Sequence, residues 1–246
     1  MGIGAACAEE IAREGASVVV MDIDELAAAQ IVSTIESSGG KAVSVIADVG
    51  TSEGCRKAVE KSVATFGGLD ILLNNVGIQP PASYTNIEDT SEEMWDRIMA
   101  VNLKSRFLMA KFSIPEMRKR GGGVIISIGS VQGQLSANLV PAYAATKGGD
   151  ESLTRQMALD YAPDNIRVLS VCPGGIDTPM LRNSVESKGL TLEQAFEKID
   201  KTVPLGMGRG ADIAKVAVFL ASEKAAFMTG TSVNVDGGIM AKGAWA

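Results

Sequence analysis

The chain has 246 residues, of which 46% are hydrophobic, and it carries a formal net charge of −6 and no histidine. The missing histidine excludes a Ser-His-Asp or Cys-His catalytic centre and an imidazole zinc site, so tyrosine, lysine or a carboxylate must transfer protons. The negative charge argues against nucleic acid as a partner. The three cysteines are far apart, which argues against disulfides and a thiolate metal site, and we expect no metal.

Short runs rich in valine and isoleucine alternate with longer amphipathic segments, which is the pattern of βαβ units. This pattern predicts an α/β fold, with a single domain over 1–246 and a doubly wound, Rossmann-like parallel sheet. Strands are predicted at 17–21, 42–46, 70–73, 123–128, 167–172 and 232–235. Helices are predicted at 3–14, 24–38, 52–66, 91–120, 141–161 and 211–221.

The segment 178–207 interrupts this alternation, because two short amphipathic helices at 180–187 and 192–201 follow each other without a strand. We predict a helical substrate flap here, although apolar stripes of this kind are more often ordinary packing. Its apolar residues are Met180, Leu181, Val185, Leu190, Leu192, Phe196 and Ile199. No apolar run approaches the ~20 residues that span a bilayer, and the N-terminus lacks a signal-peptide pattern, so we expect a cytoplasmic protein.

The N-terminal segment has features of a dinucleotide site. Gly2 and Gly4 precede a predicted helix, and the strand after it ends at Asp22, eighteen positions after Gly4. Such glycines let backbone amides approach a pyrophosphate, and the acid accepts hydrogen bonds from a ribose. Asp22 has no arginine beside it, which favours NAD over NADP. Two glycines near a terminus are also compatible with a frayed end, but the helix, strand and acid favour cofactor binding.

Tyr143 and Lys147 lie one helical turn apart in the predicted helix at 141–161. A free phenol has a pKa of about 10, and a nearby ammonium favours the phenolate, so this tyrosine could exchange a proton near neutral pH. The pair alone is weak support, because an exposed helix with a surface lysine and a half-buried tyrosine gives the same spacing.

Several short motifs occur in a fixed order from Gly2 to Gly238, and with them the chain resembles the short-chain dehydrogenase/reductase family. Ser130 lies thirteen positions before Tyr143, as the family pattern requires. The other motifs are Gly2-Ile-Gly4, Asp48-Val49, Asn74-Asn-Val-Gly77, Asn102 in Val101-Asn-Leu-Lys104, Tyr143 with Lys147, Pro173-Gly174 with Thr178, and Asn234-Val-Asp-Gly-Gly238.

The resemblance implies a catalytic role for four residues. Tyr143 would be the general acid/base, and Lys147 would stabilise its phenolate and hold the nicotinamide ribose. Ser130 would bind the substrate oxygen, although a strand-end hydroxyl often bonds only to backbone. Asn102 would carry a water toward Lys147, a role that rests on the resemblance alone.

The resemblance also implies a cofactor groove for NAD. Gly2, Ile3 and Gly4 would lie at the pyrophosphate, and Asp48, next to Val49, would meet the adenine amine. Asn75 and Gly77 would line the groove. Thr178 and the backbone of Ile176 would hold the carboxamide, after a turn at Pro173-Gly174.

The chain departs from the family pattern at its beginning, because family members start with a buried strand and a Thr-Gly-x-x-x-Gly-x-Gly loop. Met1 stands where the residue before the last Gly-x-Gly would be. The first strand and first glycine are therefore absent, which would leave the strands at 18–21 and 70–73 without a neighbour. Unpaired buried backbone groups cost about 1 to 3 kcal/mol each, so we expect the native protein to begin upstream of Met1. The turn 204–210 is one residue shorter than the family's.

We predict an NAD-dependent oxidoreductase acting on a secondary alcohol such as a sugar or polyol. One alternative is a 3-oxoacyl thioester reductase of the same family, and another is a catalytically silent binding or assembly protein, because the glycine loop is incomplete. A methyltransferase would leave Ser130, Tyr143 and Lys147 unexplained. The long helices at 91–120 and 141–161 correspond to tetramer faces in the family, so we expect a homotetramer. The residues proposed for these faces are Met109, Ala110, Ala158 and Leu159.

Overall fold

The computed structural model describes residues 2–187 and 189–242, and the remaining positions of the predicted domain (1, 188 and 243–246) lie outside the described part. Within it, six strands and nine α-helices follow one another. The strands are β1 (Ser17–Asp22), β2 (Lys41–Ile46), β3 (Ile71–Asn74), β4 (Gly123–Ile128), β5 (Ile166–Pro173) and β6 (Ser232–Val235). The helices are α1 (Ile3–Arg13), α2 (Glu25–Ser37), α3 (Ser52–Phe66), α4 (Glu92–Met99), α5 (Ser105–Arg120), α6 (Pro141–Tyr161), α7 (Pro179–Ser187), α8 (Leu192–Thr202) and α9 (Gly210–Ala221).

The strands form two parallel sheets. β1 pairs with β2, and β3, β4, β5 and β6 pair in that order. Helices α3, α5 and α6 pack on one face of the larger sheet, and α1 and α9 pack on the other. The predicted α/β class with parallel strands is therefore confirmed, but the sheet is divided in two.

Side chains of β4 alternate between the two cores, as the period of a strand requires. Ile125 is buried among residues of α3, α5 and α6. Its neighbours Val124 and Ile126 are buried instead among residues that include Ile213 and Leu220 of α9. The strand is apolar at successive positions because both of its faces are covered.

A cleft of about 1400 Å³ lies between the two sheets. Residues 18–22 of β1 line it on one side and residues 71–74 of β3 on the other. Within the described residues, β1 pairs only with β2 and β3 only with β4, so the edges that these two strands turn toward the cleft have no ladder partner. The carboxyl ends of the strands open into the same cleft.

The predicted helix at 91–120 consists of three elements. A π-helical turn, Ala100–Lys104, separates α4 from α5. A π turn holds an extra residue and changes the direction in which the following side chains point. The chain is therefore helical without a break from 92 to 120, close to the predicted bounds, but Asn102 lies within a π turn that the sequence did not predict.

Helices α7 and α8 occupy the predicted flap segment. Thr191 begins α8 with a capping box, in which its hydroxyl accepts from the Gln194 amide while the Gln194 side chain accepts from the Thr191 amide. The chain returns to the main body at a parallel bridge between Ile176 and Gly208. In the described part of the chain, no helix has the length and apolar character needed to cross a membrane.

Candidate active site

Helix α6 places Tyr143 and Lys147 on the wall of the cleft. The helix begins at Pro141, where a missing amide proton costs no helical hydrogen bond. The Lys147 Nζ atom lies 5.3 Å from the centre of the Tyr143 ring and donates a hydrogen bond of 2.8 Å to the Ile128 carbonyl oxygen. A hydrogen bond also links the Ser130 hydroxyl to the Tyr143 side chain. The structure thus brings these three predicted catalytic groups together.

The pKa values of this pair differ from the sequence-based expectation. Burial raises the pKa of Tyr143 to about 12, and the Ser130 hydrogen bond and the Arg106 charge lower it only in part. Burial, followed by the charge of Arg106, lowers the pKa of Lys147 to about 8. Burial of Tyr143 therefore opposes the ionisation that the sequence predicted, because the sequence does not show how completely the phenol is removed from water.

Arg106 and Asp150 form a buried ion pair next to these residues, with 3.8 Å between Arg106 Nε and Asp150 Oδ1. Arg106 lines the cleft and donates through Nη1 to the Val76 carbonyl oxygen at 2.6 Å. Nothing in the sequence pairs these two residues. The spacing shows only that Asp150 follows Lys147 by three positions, on the same face of α6.

Asn102 is completely buried in the π-helical turn and lies behind the cleft wall. Its Oδ1 accepts from the Ile78 amide at 2.7 Å, and its Nδ2 donates to the Ile78 carbonyl oxygen at 2.9 Å. The side chain therefore fixes the backbone that follows Gly77. This contact positions the groove, and the water-carrying role that the resemblance implied for Asn102 stays a prediction.

The N-terminus of α1 faces the cleft with Gly2, Ile3 and Gly4. A Cβ atom at Gly4 would lie 2.3 Å from the Asn75 Nδ2, so a larger residue there would displace the Asn75 side chain or the end of α1. At Gly2 the nearest atom to such a Cβ would be Pro179 Cδ at 3.8 Å. The amides at this helix end are therefore accessible from the cleft, at the positive end of the helix dipole.

Two acidic residues line the cleft beside the open edge of β1. Asp22 ends β1, and its Oδ1 accepts from the Asp24 amide at 3.0 Å. Asp48 accepts from the Gly50 amide at 2.8 Å and from Arg97 Nη1 at 2.9 Å. Burial raises the pKa of Asp48, but the bonds from Gly50 and Arg97 outweigh burial and lower it below the usual value.

The other end of the cleft is formed by the chain after β5. A Cβ at Gly174 would lie 2.8 Å from backbone atoms of Asp236, so the two segments pack closely. Ile176 is held by its bridge to Gly208. The Thr178 hydroxyl accepts from the Leu181 amide at 3.3 Å, so it caps the first turn of α7. That hydroxyl can still donate its own proton into the cleft.

All residues predicted to bind the cofactor line this single cleft, together with Ser130. Apolar side chains line it as well, from the loop after β4 and from α7. They are Leu135, Ala137, Met180 and Leu181. Among the described residues, no group of cysteine, aspartate and glutamate side chains could hold a metal ion. The cleft thus combines a helix N-terminus, an acid at a strand end and a phenol with a lysine.

Comparison with known proteins gives the same family throughout. Residues 1–240 match the protein family described as Enoyl-(Acyl carrier protein) reductase. An uncharacterized oxidoreductase of Thermotoga maritima is 40% identical over 238 residues, which cover 96% of this chain and 92% of the relative. Cyclohexanol dehydrogenase of an Acinetobacter species is 36% identical over 242 residues, covering 98% and 92%.

A solved structure shares the fold over almost the whole chain. It is 7α-hydroxysteroid dehydrogenase complexed with NADH and 7-oxo glycochenodeoxycholic acid, with a TM-score of 0.88 and 32% identity. The match covers 97% of this chain and 90% of the other. With the motif order, the shared fold and these relatives, the chain belongs to the short-chain dehydrogenase/reductase family of oxidoreductases.

Proposed function

We propose that this protein is an NAD-dependent dehydrogenase of small secondary alcohols, with Tyr143 as the catalytic proton acceptor. The observation that carries the proposal is the contact of Ser130, Tyr143 and Lys147 on the wall of a cleft that also holds a helix N-terminus and Asp22. A phenol, a lysine and a hydroxyl in contact can hold an alcohol oxygen and remove its proton.

The residues of the cleft fit a dinucleotide. Gly2 leaves the amides of α1 open to a pyrophosphate, and Asp22 offers a carboxylate to a ribose. An apolar residue, Ile23, follows Asp22 where an arginine would bind a 2′-phosphate, which favours NAD. A nicotinamide bound here would supply the hydride acceptor. The chain's part is to orient it, through Ile176 and Thr178 at one end and α1 at the other.

The proton chemistry belongs to the chain's own residues. Ser130 donates a hydrogen bond to the alcohol oxygen, and Tyr143 in its phenolate form takes the hydroxyl proton. Lys147 stabilises that phenolate by its charge. The pKa of Lys147, lowered to about 8, still leaves the lysine mostly charged at neutral pH, so its cation is present while Tyr143 takes the proton. In the reducing direction the same groups return the proton to the oxygen.

The cleft wall favours a compact apolar alcohol. Leu135, Met180 and Leu181 line it without offering polar side-chain groups. A sugar or polyol would leave hydroxyls unpaired against these side chains, and each such group costs free energy. The names of two relatives, a cyclohexanol dehydrogenase and a hydroxysteroid dehydrogenase, support a ring alcohol. We therefore place ring alcohols ahead of sugars and polyols, with 3-oxoacyl thioesters as the alternative.

The test is NADH formation with cyclic alcohols, sugars and polyols, and NADH consumption with 3-oxoacyl thioesters. Tyr143→Phe should lower kcat/KM by about 10² or more, since it removes the acid/base group. Tyr161→Phe is the matched control, because Tyr161 lies on the same helix but outside the cleft and contacts Arg118. Equal rates for Tyr143→Phe and the unaltered protein would remove Tyr143 from the mechanism.

A catalytically silent binding protein is the second candidate. Within the described residues, the sheet edges beside α1 have no strand partner, and this observation favours it. Calorimetric titration with NAD separates the two candidates. Micromolar binding supports the dehydrogenase, and no binding at millimolar NAD supports the silent protein.

We also propose a homotetramer, but through a different set of residues from the one that the sequence suggested. Met109, Ala110 and Ala158 are buried in the protein's own core, because their apolar faces pack on the sheet and not outward. That part of the prediction is wrong. Leu159 is 77% exposed and Phe107 is 50% exposed, so they are the residues of α6 and α5 available to a partner. Sedimentation of Phe107→Ser/Leu159→Ser against the unaltered protein tests the assembly.

A further inference from the structure

Two oppositely charged side chains are buried directly behind the proposed catalytic pair. Arg106 on α5 and Asp150 on α6 each expose only 1% of their surface. Their closest charged atoms, Arg106 Nε and Asp150 Oδ1, are 3.8 Å apart. Asp150 comes one turn after Lys147 on the same helix, so the ion pair and the lysine share one face of α6.

Their hydrogen bonds tie the pair to the cleft wall. Arg106 Nη1 donates to the Val76 carbonyl oxygen, between Asn75 and Gly77 of the proposed cofactor groove. Asp150 Oδ2 accepts from the Ser170 hydroxyl at 3.4 Å. The guanidinium therefore donates hydrogen bonds through Nη1, while its other two nitrogens, Nε and Nη2, have no hydrogen-bond partner among the described residues.

Stability alone does not account for a pair of this kind. Removing two charges from water costs free energy, and apolar residues of similar volume stabilise a core as well or better. The neighbouring helix positions Met109 and Met157 show that apolar side chains pack well in this core. A role in the chemistry of the adjacent cleft explains why charges are present here.

The charge of Arg106 acts on both members of the proposed catalytic pair. It lowers the pKa of Tyr143, against the raising effects of burial, Tyr84 and Cys172. It also lowers the pKa of Lys147, where burial acts in the same direction while Asp150 and Cys172 oppose it. Lys147 therefore loses its proton at about pH 8. Burial lowers the pKa of Arg106 as well, but Asp150 and Tyr143 oppose this effect, and a guanidinium starts from a much higher pKa than an ammonium, so Arg106 keeps its charge above that pH. Above pH 8, Arg106 is the cation that still faces Tyr143.

We propose that Arg106, paired with Asp150 behind the cleft wall, is a positioning residue whose charge stabilises the Tyr143 phenolate. The inference rests on the function proposed above. It extends that function to the alkaline range, in which a phenolate base is most abundant. Asp150 is the counterion of the guanidinium, and the Val76 carbonyl oxygen holds the guanidinium at the cleft wall.

The first experiment follows the phenol itself and needs neither cofactor nor turnover. The three tyrosines are replaced by 3,5-difluorotyrosine, whose phenol ionises at lower pH, and each is titrated by fluorine NMR. The signal of position 143 is assigned with Tyr143→Phe. In Arg106→Met/Asp150→Leu, both charges are replaced by apolar groups, which favours retention of the fold. We expect the midpoint at position 143 to rise by about one pH unit, which is about tenfold less phenolate at a given pH.

Three further variants separate charge from structure. Arg106→Lys keeps a cation and should restore a midpoint close to that of the unaltered protein. Asp150→Asn removes the counterion and should move the midpoint in the opposite direction, to lower pH. Arg167→Met is the matched control, because Arg167 also binds backbone carbonyls, those of Leu220 and Ser222, but lies outside the cleft. It should leave the midpoint unchanged.

The second experiment is the pH profile of kcat/KM for alcohol oxidation. The double variant should move the acidic limb up by about one pH unit, whereas a merely structural role would lower kcat/KM by the same factor at every pH. An unchanged fluorine titration in the double variant overturns the proposal. If the double variant does not fold, an unshifted midpoint in Asp150→Asn overturns it equally. Absence of turnover in the unaltered protein refutes the proposed function, and the fluorine titration still decides the role of Arg106.

Discussion

Lys147 and Ile128 are joined by a hydrogen bond of 2.8 Å, in which the lysine Nζ donates to the carbonyl oxygen at the end of β4. Lys147 is 4% exposed, so this carbonyl is an essential polar partner for its amino group. The bond holds α6 against the larger sheet and fixes the distance between the lysine and the Tyr143 ring. A residue proposed for catalysis is therefore also part of the packing.

The burial of Lys147 makes a prediction for stability and pH. Its pKa is lowered from 10.5 to about 8, chiefly by burial, so the unfolded chain binds more protons than the folded one between these pH values. The cost of burying the ammonium is fully present below pH 8 and is removed as the pH rises through 10.5. Lys147→Met removes this cost. The free energy of unfolding of the variant minus that of the unaltered protein should therefore be about 3 kcal/mol larger at pH 7 than at pH 10.5. Urea unfolding at both pH values measures the difference, and equal differences would contradict it.

Asp22 should decide between the two nicotinamide cofactors. Its carboxylate repels a 2′-phosphate, so Asp22→Ala/Ile23→Arg should raise the ratio of kcat/KM for NADP over NAD by about tenfold or more. Asp24→Ala is the control, because Asp24 caps α2 through the Ala27 amide at 3.0 Å. That control should cost about 1 kcal/mol of stability and leave the ratio unchanged. An unaltered ratio in the double variant would mean that the ribose lies elsewhere.

Gly4 and Gly2 should respond differently to the same substitution. A Cβ at Gly4 would come within 2.3 Å of the Asn75 side chain, so Gly4→Ala must displace Asn75 or the end of α1. We expect a loss of about 1 to 3 kcal/mol in stability and at least tenfold weaker NAD binding. Gly2→Ala has room, with no atom nearer than 3.8 Å, and should leave the unfolding free energy unchanged. Calorimetry and urea unfolding measure both effects, and equal stability losses would argue against the packing seen at Gly4.

Leu139 is held in a left-handed backbone conformation with φ of 63°, although its side chain is 52% exposed. A bulky side chain is strained there, so Leu139→Gly should stabilise the protein by about 1 kcal/mol. Leu135 is similarly exposed and has no positive φ, so Leu135→Gly should destabilise it. The urea midpoints of the two variants should move in opposite directions. Two shifts of the same sign would refute the strain at Leu139.

The sequence predicted the positions of the strands well because the periodicity of buried strands is local. It missed the π-helical turn at Ala100–Lys104, since one extra residue in a helix leaves no periodic trace over so short a stretch. It assigned Met109 and Ala158 to an interface because apolar helix faces look the same whether they meet a sheet or another subunit.

The chemistry of the site was harder to predict than its location. The motifs predicted that Ser130, Tyr143 and Lys147 lie close together. The pKa of Tyr143 could not be predicted in the same way, because it depends on how far surrounding elements exclude water. The Arg106–Asp150 pair joins residues on two helices that are far apart in sequence, so neither spacing nor composition could pair them.

The division of the sheet has a mechanical consequence. Within the described residues, β1 and β2, which carry Asp22, share no backbone ladder with the four strands behind Tyr143 and contact the rest of the protein through packed side chains and loops. Such a unit can open as a separate foldon, at a lower free energy than the four-stranded sheet. Amide hydrogen exchange should therefore be faster throughout β1 and β2 than in β4 and β5. A dinucleotide that contacts both β1–β2 and the four-stranded sheet would connect them. Its binding should therefore slow amide hydrogen exchange in β1 and β2.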